Sequence, residues 1–403
     1  MADEKHALVF GATGLLGWGV LEQLLSGYPG AETFATVTAV LRRRTTAGEL
    51  GLDPVSEKLR LVDGVDLLAG DVGGVLRERV HGVERTTHVF YFGELSGIVF
   101  APLASGEEDR EVEVNADMMR RVVAALNLVA PRLRSFVYGG GTKQYGIYAP
   151  GGTWSPPLKE SLAEGEQSSR VPSCVYPVQR RILAEASENK PWSWTEICPD
   201  AVIGFSPLGS AYSLALHWAQ YLSLYARVNG AGHRVAFPGS VQGYDSRFTP
   251  VSTRTLGRVA IYVGLLHLDD GGGGVSGKVI NVADSEEPVT FRELWPKITA
   301  WFDLIGVGPE SSSSSSSSET TTTKPGDYVH LHRALFEKGG KPRATSCGVG
   351  AGRRQLDEVG WWLSFDRYMS LGRLRAVGFA EERAVVDGWV EAFERMREAG
   401  IIF

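Results

Sequence analysis

An α/β fold, a doubly wound parallel sheet with a smaller, mostly helical C-terminal cap, is predicted by three observations. A short apolar run, residues 7–10, leads straight into Gly11-Ala12-Thr13-Gly14-Leu15-Leu16-Gly17, and residues at helical spacing follow. Strand-like and helix-like segments then alternate up to residue 138, the pattern that lays helices on both faces of parallel strands. Five of the ten tryptophans lie beyond residue 290, and Val386, Trp389, Val390, Phe393 and Met396 fall on one helical face, so the C-terminal segment is expected to pack on the body.

In chain order, strands are expected at residues 7–10, 37–41, 67–69, 88–92 and 135–138, with helices over 18–25 and from Asn115 to about residue 128. Beyond residue 145 the alternation loosens. Residues 149–172, rich in Pro, Gly, Ser and Glu, read as a surface excursion; a helix over 175–186, a strand over 194–198 and a helix over 213–228 follow. Residues 278–283 read as a late strand returning to the sheet. Eight serines and four threonines around Glu319 carry little that can be buried, so residues 310–326 are expected to form a flexible loop. These elements divide the chain into a nucleotide-binding body, residues 1–205 with a returning segment 241–285, and a substrate-binding cap, residues 206–240 and 286–403.

Of 403 residues 43% are hydrophobic and 22% charged, enough for a full core and incompatible with global disorder. A net charge of −6 argues against nucleic acid or an anionic membrane surface as partner. No stretch of 18 apolar residues predicts a membrane span. The first residues carry acids and the first apolar run breaks at Gly11, unlike a secretory leader, so a cytoplasmic protein is expected. Cys174, Cys198 and Cys347 form no CxxC pair, and His330 and His332 have only Asp327 near them, so no disulfide framework and no metal are expected. Ser96 and Ser206 lack the His/Asp setting of a hydrolase. Gly272 to Lys278 mimics a phosphate loop, but Val279 stands where Ser or Thr is needed and a strand follows instead of preceding.

The N-terminal glycines sit where a strand ends and a helix begins. Gly11 suits the tight turn, Gly14 lets backbone approach a pyrophosphate, and Gly17 permits close helix–sheet packing. Thr13, Leu15 and Leu16 then surround the phosphates at the helix start. The second strand ends in Arg42-Arg43-Arg44, with no acid before Glu49 to hold a ribose diol. Forked guanidinium groups suit a 2′-phosphate, so NADPH/NADP+ is the expected cofactor.

Reduction of a carbonyl compound needs an acid at the carbonyl oxygen, and a Tyr with a nearby Lys can provide it. The nearest match to Tyr-x-x-x-Lys is Tyr176-Pro177-Val178-Gln179-Arg180, with Arg in the Lys place, where it cannot relay a proton. The helix is expected to resume at Gln179, after Pro177.

The glycine loop, the arginines, Thr87-His88-Val89-Phe90-Tyr91, Gly141-Thr142-Lys143-Gln144-Tyr145, the stretch from Cys198 to Pro207 and Phe237-Pro238-Gly239 occur in one order. In this the chain resembles, over nearly its whole length, the progesterone 5β-reductase/iridoid synthase-like family of atypical extended short-chain dehydrogenases, in its fungal or microbial branch. The resemblance implies a Rossmann-type, epimerase/dehydratase-like fold and NADPH-dependent 1,4-reduction of an enone or enal, a small hydrophobic substrate of secondary metabolism. It also implies that the lysine comes from the segment after the fifth strand, which makes Lys143 and Tyr176 the catalytic pair. Phe92 and Gly93 would run along the cofactor, Pro199, Val202 and Ile203 would face the nicotinamide amide, and Asp71 and Val72 would contact adenine unless Asp71 only caps a helix. Asn115 would either shape the sheet or cap its helix. Tyr145, Tyr148 and Phe205 would line the substrate pocket or pack in the core. Where the family often has an aromatic-rich stretch after strand four, this chain has Phe92-Gly93-Glu94-Leu95-Ser96. Two other readings stay open: 1,2-reduction of a ketone or aldehyde, and a non-catalytic NADP-binding sensor or scaffold. A monomer or a homodimer is expected.

Overall fold

A computed structural model describes residues 4–93, 107–165, 171, 174–266, 274–310, 324–346 and 356–403. The Ser/Thr tract, Cys347 and the Glu94-Leu95-Ser96 stretch lie outside them. The body is a seven-stranded parallel sheet of β1 (His6–Phe10), β2 (Thr36–Val40), β3 (Leu59–Val62), β4 (His88–Tyr91), β5 (Ser135–Gly139), β6 (Ser193–Pro199) and β7 (Lys278–Val282). Its order, β7-β6-β5-β4-β1-β2-β3, is the doubly wound topology the alternation predicts. β1 pairs in parallel with β2 (Ala7 opposite Val37) and with β4 (Ala7 opposite His88), so the sheet reverses its winding at the C-terminal end of β1. That reversal opens the crevice in which such sheets take ligands. All five β1 residues are buried, as expected of a strand covered on both faces.

The two faces are covered separately. α1 (Leu15–Leu25) and α6 (Thr253–Leu266) lie on one, where Val20, Leu21, Leu24, Val259 and Val263 meet Val37 and Ala39. α2 (Val72–Arg79), α3 (Glu107–Val129) and α4 (Val175–Ser187) cover the other, with Met119, Val122, Leu126 and Leu183 against Leu8, Phe10 and Val89. α5 (Leu214–Asn229) and the helices Phe291–Ala300 and Val385–Glu398 build a third core around Trp218, Trp295 and Trp389. Trp218 stacks on Trp389 at 5.4 Å and 14°, and meets Trp295 edge-on at 5.2 Å. No helix among the described residues is long and apolar enough to cross a membrane.

Several expectations are corrected. The third strand is Leu59–Val62, pairing Val37 with Leu59 through Val40 with Val62, and residues 67–69 form a turn instead. There the Asp66 carboxylate accepts the Leu68 N–H at 3.0 Å, and Gly70 has φ +72°, local bonding that competes with a ladder. α3 begins two turns before Asn115, which is buried in mid-helix and donates to the Glu111 carbonyl at 3.0 Å, so it is no N-cap. α4 starts at Val175 and does not wait for Gln179; Pro177 lies in the first turn, where its missing N–H breaks no helical bond. Residues 149–172 are not wholly a surface excursion: Leu158, Glu160 and Ala163 are buried, and Leu158 bridges to Met369. Pro325–His332 is helical, so the expected loop ends before it. The C-terminal helix buries Val385, Gly388 and Ala392 beside Trp389, Phe393 and Met396, leaving Val386 and Val390 only half-buried.

Trp389 is fully buried in this third core, stacked on Trp218 and close to Phe393. Trp389→Ala is expected to lower stability by about 3–5 kcal/mol, read as a shift in denaturant midpoint at unchanged slope.

Candidate active site

The glycine loop forms a cradle that side chains would fill. Gly11 has φ +73°, and a Cβ there would collide with the Phe92 carbonyl; one on Gly17 would collide with the Gly11 carbonyl. α1 begins at Leu15 with Gly14 as N-cap and no side chain accepting its first N–H groups. Those donors and the positive end of the helix dipole are therefore left for an anion. The Thr13 carbonyl accepts the Ser206 hydroxyl at 3.1 Å, tying the loop to the chain that follows β6. Arg42, Arg43 and Arg44 stand exposed just past β2. Asp71 caps α2, accepting the Gly74 N–H at 2.9 Å, and Val72 is buried in the core; neither lines the cavity described next. Gly93 N lies 2.9 Å from where a Gly11 Cβ would stand.

One cavity of about 320 Å³ runs from Gly14, Leu15, Leu16 and Phe92 past the ends of β5 and β6 to the cap, within the size range of small-molecule sites. β5 ends in Gly139-Gly140-Gly141 and turns into a single 3₁₀ turn, Thr142–Tyr145, which carries Lys143. The Lys143 ammonium lies 3.3 Å from Glu111 of α3, and both side chains are largely buried. Tyr176, in the first turn of α4, enters the same cavity, and its hydroxyl lies 2.9 Å from where a Gly141 Cβ would stand. The glycine thus lets the phenol reach the turn that holds Lys143. Pro199 and Val202 also line the cavity, whereas Ile203 is turned into the core.

Arg180, one helical turn after Tyr176, points elsewhere. Its guanidinium donates to Glu196 at 2.6 Å, to the Gln144 side chain at 2.7 Å and to the Ala163 carbonyl at 2.6 Å. Glu196, fully buried on β6, also accepts from Tyr138 at 2.6 Å and Gln144 at 2.5 Å. Burial works against the Arg180 charge, but the Glu196 carboxylate outweighs it and raises the guanidinium above its ordinary value. A forked, permanently charged group fits this triple contact and a lysine does not.

Tyr148 lines the cavity, stacked on Trp362 at 4.8 Å and 17°, with Lys143 Nζ 5.8 Å from its ring centroid. Burial pushes its phenol well above the ordinary range, so it stays neutral. Tyr145 and Phe205 are not among the residues that line the cavity; both are buried in the core. Tyr145 donates to Asn281 at 2.6 Å, and Phe205 packs edge-on against Trp18 at 5.1 Å. Glu111, Asp200, Trp362 and Arg367 line the cavity without having been expected there. Glu196, which lies behind the cavity wall, did leave a signal: an acid inside the apolar run from Trp194 to Cys198 must be buried and paired.

Arg180→Ala leaves the Glu196 charge uncompensated and is expected to cost about 3–5 kcal/mol of stability. Adding Glu196→Gln should restore part of it, and equal melting of single and double variants would contradict the pairing.

A family model for PRISE-like Rossmann-fold domains matches residues 7–403. The short chain dehydrogenase sirS of Leptosphaeria maculans is 35% identical over 76% of this chain and 73% of its own. The short chain dehydrogenase ausT of Aspergillus calidoustus is 29% identical over 99% of this chain and 95% of its own. The 3-oxo-Delta(4,5)-steroid 5-beta-reductase of Arabidopsis thaliana is 26% identical over 61% of this chain and 58% of its own. Among solved structures, vestitone reductase from alfalfa (Medicago sativa) superposes with a TM-score of 0.56 at 15% identity, covering 99% of this chain and 100% of that one. A GDP-mannoheptose C4 reductase from Campylobacter jejuni with NADP bound gives 0.56 at 12% identity, covering 99% of both chains. At those identities the structures speak for the fold, and the fold is the Rossmann type read from the sequence. The match over residues 7–403, together with the fungal short-chain dehydrogenases that align end to end, makes this chain a member of the PRISE-like Rossmann-fold family of short-chain dehydrogenases/reductases.

Proposed function

We propose that the chain is an NADPH-dependent reductase of a small apolar carbonyl compound, acting on the C=C bond of an enone or enal. The observation that carries this is the entry of Tyr176 and Lys143 into one cavity that begins at the glycine loop and ends among apolar cap residues. NADPH, when bound, supplies the hydride. The uncapped start of α1 and the Gly11–Gly17 backbone would hold its pyrophosphate, and Arg42, Arg43 and Arg44 its 2′-phosphate. Lys143 would hold the nicotinamide ribose, with Pro199 and Val202 beside the amide.

Tyr176 donates to the substrate carbonyl oxygen and stabilises the negative charge that gathers there as the enolate forms. The Lys143 ammonium in the same cavity eases proton release from the phenol. The residues 206–240 and 286–403 act as the substrate cap over the body formed by 1–205 and 241–285. Phe291, Leu356, Val359 and Leu363 line its side of the cavity and keep water from the reacting atoms. The name of the plant relative, a 3-oxo-Delta(4,5)-steroid 5-beta-reductase, supports a conjugated C=C as the acceptor.

Tyr176→Phe is expected to lower kcat for NADPH oxidation by small enones about 10²–10⁴-fold; an unchanged rate refutes the role. With NADPH deuterated at the transferring position, label on the β-carbon of the product is expected, and label on the carbonyl carbon would mean 1,2-reduction. Replacing Arg42, Arg43 and Arg44 with Ala should weaken NADPH binding relative to NADH by about tenfold or more, since each charge-assisted bond is worth ~1.5–3 kcal/mol. An unchanged NADPH/NADH ratio removes the arginines from the 2′-phosphate site.

A further inference from the structure

Among the charged residues near the start of α3, Asp109, Arg110 and Glu113 are exposed, whereas Glu111 is turned inward and lines the cavity. Its side chain is 14% exposed and that of Lys143 12%, with 3.3 Å between Glu111 Oε2 and Lys143 Nζ. A carboxylate drawn this far from water on a mostly apolar wall needs a cation. The other cation of the described lining, Arg367, is already paired with Asp200 at 3.1 Å. The backbone of Glu111 is held as well, because its carbonyl accepts the Asn115 side chain at 3.0 Å.

The turn that carries Lys143 is fixed on both sides of it. The Thr142 hydroxyl donates to Asp200 at 2.9 Å, and the Gln144 side chain donates to Glu196 at 2.5 Å. Those bonds settle where the Lys143 side chain begins and leave its far end undetermined, since a flexible methylene stem separates the charge from the backbone. The contacts described for the ammonium are the Glu111 carboxylate and the Tyr148 ring, whose centroid lies 5.8 Å away. The carboxylate is the closer of the two and carries a full charge, so it decides where in the cavity the ammonium stands.

We infer that Glu111 is a positioning residue for the reduction: it anchors the Lys143 ammonium on the α3 side of the cavity that Tyr176 enters, and so sets the place from which that charge acts on the phenol. This inference rests on the reductase reading, because it works through Lys143 and Tyr176. Without the anchor the ammonium can still follow the bound cofactor, an anion, but it no longer has one place from which to act. The chemical step is then slowed while cofactor binding is kept, since the change also removes a negative charge from the surroundings of an anion.

The test compares Glu111→Gln, Glu111→Asp and Glu113→Gln, each in the full chain, in NADPH oxidation by a small cyclic enone. Glu111→Gln keeps the size of the side chain and removes its charge. Its kcat is expected to fall about 10–100-fold, with the KM for NADPH unchanged or lower. Glu111→Asp keeps the charge, and the flexible lysine can follow it, so most of the lost rate should return. Glu113→Gln removes the same charge from the exposed side of α3 and should leave kcat and KM as they are. A fall in kcat accompanied by a rise in KM for both NADPH and enone would give Glu111 a merely structural part and overturn the inference. So would an unchanged kcat in Glu111→Gln, an Asp variant no faster than the Gln variant, or an equal loss in Glu113→Gln. A Glu111→Gln chain that does not fold assigns the carboxylate to the fold and overturns it too. If the wild type reduces no enone, the reductase reading fails and takes the inference with it. If the wild type is active and indifferent to Glu111, only the positioning role is lost.

Discussion

A carboxylate fully buried on β6 of the parallel sheet is the constraint from which the geometry of this site follows. Glu196 has no contact with water, and its two oxygens are met by Tyr138, Gln144 and Arg180. Each donor comes from a different part of the site: the end of β5, the 3₁₀ turn after it, and α4. A buried charge satisfied in this way leaves its partners little freedom, because any displacement strands part of it. Lys143 precedes Gln144 on the turn, and Tyr176 precedes Arg180 by one turn of α4, so the same carboxylate fixes both. Gly140 belongs to this arrangement, since a Cβ there would run into the Glu196 side chain.

How much of this could be read from the chain depends on the range of the interaction. The glycine loop, the buried strands and the capped helix starts are encoded within a few residues, so β1, α1, β4 and β5 stand where the pattern placed them. β3 was misplaced because an edge strand is short and half-exposed: Leu59-Arg60-Leu61-Val62 carries one exposed arginine and little apolar weight, while Leu67-Leu68-Ala69 looks stronger but is held in a turn by Asp66. Asn115 misled in the opposite sense. Its residue type favours a cap, one of the two readings open for it, yet burial and a bond to the preceding turn let it sit in mid-helix. Tyr145 and Phe205 lie close in sequence to the cavity but their rings turn away, and side-chain direction after a 3₁₀ turn or a short strand is not written in spacing. Arg367 was beyond reach altogether. Nothing near it in sequence marks it, and only the meeting of the segment around residue 367 with Phe248 and Asp200 gives it a buried place.

The cap is held by packing where the body is held by a sheet. Its core is aromatic: Trp218, Trp295, Trp389, Phe237, Phe291 and Phe393 meet edge-on, tilted or stacked, with ring centroids 5.1–5.9 Å apart. Phe291 both packs in that core and lines the cavity, so the shape of the pocket is coupled to the packing of the cap. A wall supported by interlocked aromatic rings cannot give way one residue at a time. Thr142, Asp200 and Arg367 form a chain of side-chain bonds that links the Lys143 turn to the C-terminal segment beside the cavity.

The arginine in the place of the usual lysine can be explained by the same economy of charge. In a Tyr-x-x-x-Lys helix one residue must support the phenol and bind the ribose, and it has to face the cofactor. In the proposed mechanism that charge is supplied from the turn after β5, where three glycines allow Phe92, Glu196 and the Tyr176 hydroxyl to crowd against the backbone. The helix position is thereby released from chemistry and can face the protein interior. Once it faces Glu196, the requirement inverts: a group that loses its proton readily would leave a buried carboxylate bare, whereas a guanidinium keeps its charge and satisfies three acceptors at once. Lys143 and Arg180 are therefore not two versions of one residue. The first borders the cavity, where the proposed mechanism uses its charge, and the second sits where a charge must never change.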